Sequence, residues 1–196
     1  MAHAERDATR MTAEAYLAWE RDQREKHEYH HGEVFAMAGG SPRHNVLSAS
    51  ATAALHATLR GKGCHVLSSD QRVSVVEGER YVYPDVVVAC GGVQTSSESL
   101  VNPSVVVEVL SRSTERYDRG GKWEAYQRIA SLTDYVLVAQ DRVRVEHFQR
   151  DAHAPGGAWT YRVHEPGGTL VLSNRAQIAL DALYEGAFDV EGDAAE

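Results

Sequence analysis

Apolar residues recur along this chain with two periods, and the change from one to the other marks where helices give way to strands. Thr12 can cap a short helix in which Tyr16, Leu17 and Trp19 supply apolar contacts ahead of a charged run at 20–26. Residues 28–38 alternate loosely, as a strand or hairpin does, and close in the loop Gly39-Gly40-Ser41-Pro42. Leu47, Ala51, Ala54, Leu55 and Leu59 then step by three and four, predicting a second helix that Gly61 and Gly63 stop. From His65 the period becomes two. Residues 66–76 and 81–90 read as strands joined by a turn at Glu77-Gly78-Glu79, and 105–110 as a strand so apolar that both its faces should be covered. A helix over 116–129 and a hairpin of 135–139 with 143–148 follow, so that strand, helix and strand imply a right-handed crossover. After Gly156 come a weak strand at 159–163, a turn at Pro166-Gly167-Gly168 and a strand near Leu170.

This alternation predicts an α/β (α+β) protein with a mixed sheet and flanking helices. At 196 residues, one domain is expected. We place it at 11–188, with 1–10 and the last eight residues frayed. Hydrophobic residues at 43% and charged residues at 24% fit a packed globule and exclude a disordered or collagenous chain. Apolar runs such as 86–90 fall far short of the roughly 20 residues of a membrane span. The polar N-terminus lacks the apolar centre of a secretory signal, so a cytoplasmic protein is expected. Cys64 and Cys90 are too few and too far apart for a disulfide framework or a four-thiolate zinc site, and two reduced, partly buried thiols are expected. The net charge of −8 argues weakly against nucleic acid. Six of the acids lie in 176–196, however, where no Lys or Arg occurs.

Asp85 opens one strand and Glu108 nearly ends the next. An antiparallel pairing that sets these two opposite each other also pairs Val86 with Val107, Val87 with Val106 and Val88 with Val105, with the turn centred between Ser96 and Ser97 in a polar stretch. Two carboxylates side by side at the rim of an apolar sheet repel unless a cation lies between them. Oxygen donors suit Mg2+, or Mn2+, better than zinc. The competing reading is two exposed acids paired with arginines. Lys122 falls in line with Tyr126 and Ile129 on the helix's apolar face and so points at the sheet. There it could orient a water beside a bound anion, or its stem could pack while the ammonium reaches solvent. His27, His30, His31 and His44 invite a zinc reading that no HExxH or CxxC completes, although His44 could reach the rim from its helix start. Ser48, Ser50 and Ser111 lie outside any GxSxG context.

The ordered set Tyr83-Pro84-Asp85-Val86-Val87, Val106-Val107-Glu108-Val109-Leu110-Ser111, Ser113-Thr114, Tyr117-Asp118-Arg119-Gly120, Lys122, Tyr126 and Tyr135-Val136-Leu137-Val138 resembles the Uma-type restriction endonuclease family of the PD-(D/E)XK nuclease superfamily. The resemblance runs from about Met11 to Phe188 and takes in His31-Gly32-Glu33 and Leu183-Tyr184-Glu185-Gly186. It implies a restriction-endonuclease-like core, with Asp85, Glu108 and the Val109 carbonyl as metal ligands and Glu33 as an acid supplied by an earlier element. The superfamily's usual lysine position, two past the acid, is Leu110 here, which makes Lys122 the matching lysine. Arg112, Gly121 and Ala139-Gln140 depart from the family pattern, and the glycines at 120 and 121 weaken the helix just before Lys122.

The expected activity is hydrolysis of a DNA phosphodiester assisted by Mg2+ on Asp85 and Glu108, with Lys122 positioning water. Arg112, Arg116, Arg119 and Arg128 are the candidate contacts to the DNA backbone, although a solvated helix face would look similar. A homodimer is expected, since cutting both strands takes two sites. The alternative is a non-catalytic assembly or DNA-binding protein that retains the nuclease scaffold. The same site could also serve an RNA or nucleotide phosphodiesterase.

Overall fold

The structure is a computed structural model that describes residues 10–151 and 157–192. Helix α1 (Ala13–Glu20) starts at Thr12, whose hydroxyl accepts the Ala15 N–H, and leads into the hairpin β1 (His27–His30) and β2 (Glu33–Ala36). Helix α2 (Pro42–Leu59) starts at Ser41, which accepts the His44 N–H, with Pro42 in its first turn. Strands β3 (Cys64–Ser68), β4 (Val73–Val76), β5 (Arg80–Val82) and β6 (Val86–Cys90) follow, then the short β7 (Thr95–Ser96) and β8 (Ser99–Leu100), then β9 (Val105–Val109). After α3 (Glu115–Tyr117), a π-helical turn (Asp118–Lys122) and α4 (Trp123–Tyr126) come β10 (Asp134–Val138), β11 (Val145–Arg150), β12 (Trp159–His164), β13 (Thr169–Val171), β14 (Gln177–Ala179) and α5 (Leu180–Leu183).

The two long strands read from the sequence over 66–76 and 81–90 are each broken in two, and the halves part company. Strands β3 and β6 join a mixed central sheet in the order β12-β11-β10-β9-β6-β3, whereas β4 and β5 join a second sheet in the order β2-β1-β5-β4-β8-β7. Pro84 lies between β5 and β6, where its missing N–H and its constraint on the preceding residue end one ladder before the next begins. The expected register of β6 and β9 is observed: Val86 faces Val107, Val87 faces Val106 and Val88 faces Val105. Strands β9 and β10 are parallel, joined through the π-turn and α4, and β10 and β11 form the expected hairpin.

Side-chain alternation gives the central sheet two apolar faces. Val86, Val88, Val105, Val107 and Val109 pack with Leu47, Ala51, Leu55 and Leu59 of α2 and with Leu170, Ile178 and Leu183 near the C-terminus. Val87, Ala89 and Val106 face the opposite way, onto Val73, Val82 and Leu100 of the second sheet and Ala125, Tyr126 and Ile129. Near the C-terminus, Arg43 donates to the carbonyls of Ala187, Val190 and Glu191. Residues 193–196 and 1–9 lie outside the described residues.

Cys64 and Cys90 correct the sequence reading. They are direct partners in the β3–β6 ladder, their Cα atoms 4.0 Å apart, and are joined by a disulfide. Strand register, rather than sequence spacing, brings them together, so a count of cysteines could not find the bond.

Leu55 is fully buried between α2 and the sheet. Leu55→Ala is expected to lower stability by about 2–5 kcal/mol. Val163→Ala, at a position 37% exposed on β12, should change it by less than about 0.5 kcal/mol. Urea denaturation of both variants checks the assignment of this face.

Candidate active site

Asp85 is the residue just before β6, one step beyond the Val86–Val107 pair, and this puts it beside the end of β9. Its Oδ2 accepts the Val109 N–H at 2.7 Å and lies 3.3 Å from His44 Nε2, which reaches in from the first turn of α2. On β9, Glu108 alternates away from Val107 and Val109 and therefore points at the layer that holds the π-turn. There Glu108 Oε1 accepts from Tyr126 Oη at 2.9 Å and from Lys122 Nζ at 3.2 Å. Lys122 and Tyr126 thus share one helix face, as their four-residue spacing predicts.

Lys122 holds more than one acid. Its ammonium lies 3.2 Å from Asp118 Oδ1 and 3.4 Å from Glu28 Oε1 as well as bonding Glu108, and its side chain is only 7% exposed. Burial favours the neutral amine, but Glu108, Glu28 and Asp118 together outweigh it, so the Lys122 pKa lies well above the usual lysine value and the group is a cation. Burial, together with the charges of Asp118, Asp85 and Glu28, pushes the Glu108 carboxyl well above the usual carboxylate range in spite of Lys122. Three carboxylates (Glu28, Glu108 and Asp118) therefore gather around one ammonium, with the charge of Asp85 acting on Glu108 from beside them.

The remaining candidates divide. Glu33 stands apart from this cluster: its side chain is 44% exposed and lies 3.9 Å from Arg10. The acid that the first hairpin brings to Lys122 is Glu28, five residues earlier. Arg119 is tied within the protein to Glu146 at 2.7 Å and to Glu115, and Arg128 to Glu79 at 3.0 Å. Arg112 and Arg116 are exposed and, with Glu115, Arg119 and Gly120, line an open concavity of about 510 Å³. The four early histidines do not converge on one point: His27 meets Glu20, His30 meets Arg80, His31 lies tilted against His30 and His44 meets Asp85. Burial first, and then the charges of Arg80 and His31, hold the His30 ring down to about 4, so near neutral pH it is an acceptor for the Arg80 guanidinium.

Three residues of this site carried no function in the sequence reading. Asp118 is four residues before Lys122, a spacing that could have flagged it. Glu28 and Arg80 reach the site only through the pairing of β1 with β5 in the second sheet, where Tyr29 faces Tyr81 and His30 faces Arg80.

The donor set can be tested against a divalent cation by its chemistry. Among the described residues, no group of three His, Cys, Asp or Glu side chains is placed to hold a metal ion by itself. Two carboxylates and a main-chain carbonyl would leave half of an octahedral shell to water and substrate, which suits Mg2+. The oxygens Asp85 Oδ1 and Glu108 Oε2 take part in none of the bonds described above, and the surplus of acids over the single ammonium favours added positive charge. The residues fit.

With the geometry in place, comparison with known proteins decides the family. A family model described as "Uma2: Putative restriction endonuclease" matches residues 13–182. The chain belongs to the Uma2 family. Two curated proteins of Synechocystis sp. (strain ATCC 27184 / PCC 6803 / Kazusa), both named as uncharacterized, are similar along their length. One, slr1290, is 36% identical over 90% of this chain and 93% of its own, and the other, sll1609, is 35% identical over 71% and 81%. Among solved structures, "a putative nuclease belonging to DUF820" from Anabaena variabilis superposes with a TM-score of 0.70 at 13% identity, covering 87% of this chain and 98% of that one. That likeness shows the fold, a restriction-endonuclease-like arrangement of a mixed sheet with flanking helices. The described residues of this Uma2 protein contain no helix long and apolar enough to cross a membrane.

Lys122→Met removes the shared cation from Glu28, Glu108 and Asp118. The expected loss of stability is about 3–5 kcal/mol at pH 7.5. Glu108 already holds its proton more tightly folded than unfolded, and losing the ammonium strengthens this, so the variant weakens as pH rises through the range of that carboxyl and the loss shrinks toward pH 5. Urea denaturation at both pH values checks this; a variant as stable as the parent at each would contradict the contacts described.

Proposed function

We propose that this Uma2 protein is a metal-dependent endonuclease that hydrolyses DNA phosphodiester bonds. The observation that carries the reading is the meeting of Asp85, Glu108, the Val109 backbone and Lys122 at one end of the β6–β9 pair. Asp85 and Glu108, with the Val109 carbonyl, would hold the ion, Mg2+ or Mn2+, which when bound supplies a Lewis acid for the scissile phosphate. Lys122, fixed in direction by three carboxylates, offers a donor to water and to charge developing on the phosphorus oxygens. His44 and the Val109 N–H hold the Asp85 carboxylate in one orientation. Arg112 and Arg116 give the backbone of a nucleic acid a cationic approach six to ten residues from Lys122 in the chain, while Arg119 and Arg128 serve mainly the protein's own ion pairs. A dimer, one site to each strand, completes the proposal.

Plasmid nicking in Mg2+ and in Mn2+ tests this reading. The protein should nick DNA only with the cation, and Asp85→Ala, Glu108→Ala and Lys122→Ala should each lower the rate by about 10²–10³-fold or more. Activity that survives in all three variants would place the chemistry elsewhere. A parent protein inert with every divalent ion tried would favour a binding protein built on the same scaffold. In binding assays at varied salt, Arg116→Ala should weaken DNA uniformly across sequences and reduce the slope of log K against log salt by about 0.9; an unchanged slope would remove Arg116 from the interface.

A further inference from the structure

Gly120 and Gly121 precede Lys122 directly, and two glycines are the poorest support that a helix can give the residue after them. The turn that contains them, Asp118–Lys122, is also π-helical rather than α-helical. Yet Lys122 keeps its ammonium on three carboxylates. Something other than local helix stiffness holds its backbone.

Arg80 on β5 is the group in place to do so. It is 8% exposed, and its Nη1 donates to the Gly121 carbonyl at 2.6 Å. That carbonyl belongs to the peptide bond joining Gly121 to Lys122. The second terminal nitrogen of the guanidinium meets His30 Nε2, from the residue facing Arg80 in the β1–β5 ladder, and the guanidinium carbon lies 6.0 Å from the centre of the Tyr117 ring. Tyr117 in turn packs where a side chain on Gly121 would stand: a Cβ there would come within 3.0 Å of the ring. The planar fork of an arginine spans the strand on one side and the π-turn on the other, a reach that a single ammonium cannot reproduce.

We infer that Arg80 is a positioning residue for Lys122: it clamps the π-turn to the second sheet through the Gly121 carbonyl and supplies the rigidity that Gly120-Gly121 lacks. The inference rests on the nuclease reading for its catalytic consequence but not for its structural one. Arg80 itself touches none of the proposed metal ligands in the contacts described.

Backbone amide exchange and nicking rates, measured on the full chain, test the clamp together. Arg80→Gln should speed amide exchange at 118–123 by at least ten-fold while leaving β9 and β10 unchanged. It should cut the nicking rate ten- to a hundred-fold with the Mg2+ concentration for half activity unaltered. In a Lys122→Ala background the same change should cost nothing further, because the group being positioned is gone. Gly120→Ala restores helix stiffness at a site where a Cβ meets nothing within 4 Å; added to Arg80→Gln it should recover part of both losses. If Arg80→Gln does not fold, Arg80→Lys, which keeps the charge but cannot hold His30 and Gly121 together, takes its place with the same expectations. Unaltered exchange at 118–123, losses that multiply in the double variant, or no recovery with Gly120→Ala would each overturn the clamp. A parent protein that fails to nick DNA would remove the nuclease reading and leave the exchange result to decide the clamp alone.

Discussion

The site depends on a single buried ammonium shared by acids that would otherwise drive one another apart. Glu108 comes from the central sheet, Glu28 from the second sheet and Asp118 from the π-turn, and each ends within 3.4 Å of Lys122 Nζ. Three separate pieces of the fold are thus drawn to one point by charge. Burying such groups is unfavourable unless each is paired, because solvent no longer screens them. The surplus acid in the cluster leaves a negative field open at the rim, where Asp85 sits partly exposed.

That field lies where the packing of the sheet can hold it still. The faces of β6 and β9 are filled by valines packed into both layers, so the positions of Asp85 and Glu108 follow from a register in which a slip of one residue would send every valine to the opposite layer. His44 approaches Asp85 from the α2 side and Lys122 approaches Glu108 from the other, so each layer contributes to its own acid.

Much of this was legible in the sequence, and for identifiable reasons. The β6–β9 register follows from valine matched to valine, α2 from its three- and four-residue steps, and the inward direction of Lys122 from its alignment with Tyr126. What stayed hidden depends on distant pairings. A pattern of period two shows that residues are extended but not which sheet they enter, so the division of 66–76 and 81–90 between two sheets left no mark except Pro84. With that division unseen, Glu28 and Arg80 had no route to the site. The disulfide was missed in the same way, since β3 had no assigned partner. The long helix expected over 116–129 failed where Gly120-Gly121 permits a wider turn.

Between β5 and β6 the chain crosses from one sheet to the other through Tyr83, Pro84 and Asp85 alone. Adding or removing a residue there would invert the parity of β6, sending Val86 and Val88 to the wrong layer and carrying the acid off its neighbour. The stretch between β6 and β9 carries the β7–β8 hairpin of the second sheet, with Leu100 buried, so only its exposed turn at 97–98 behaves as a surface loop, whose lengthening costs little because the cost grows with the logarithm of its size. Descendants of this chain are therefore free to vary in length at that turn and are held to a fixed count between β5 and β6.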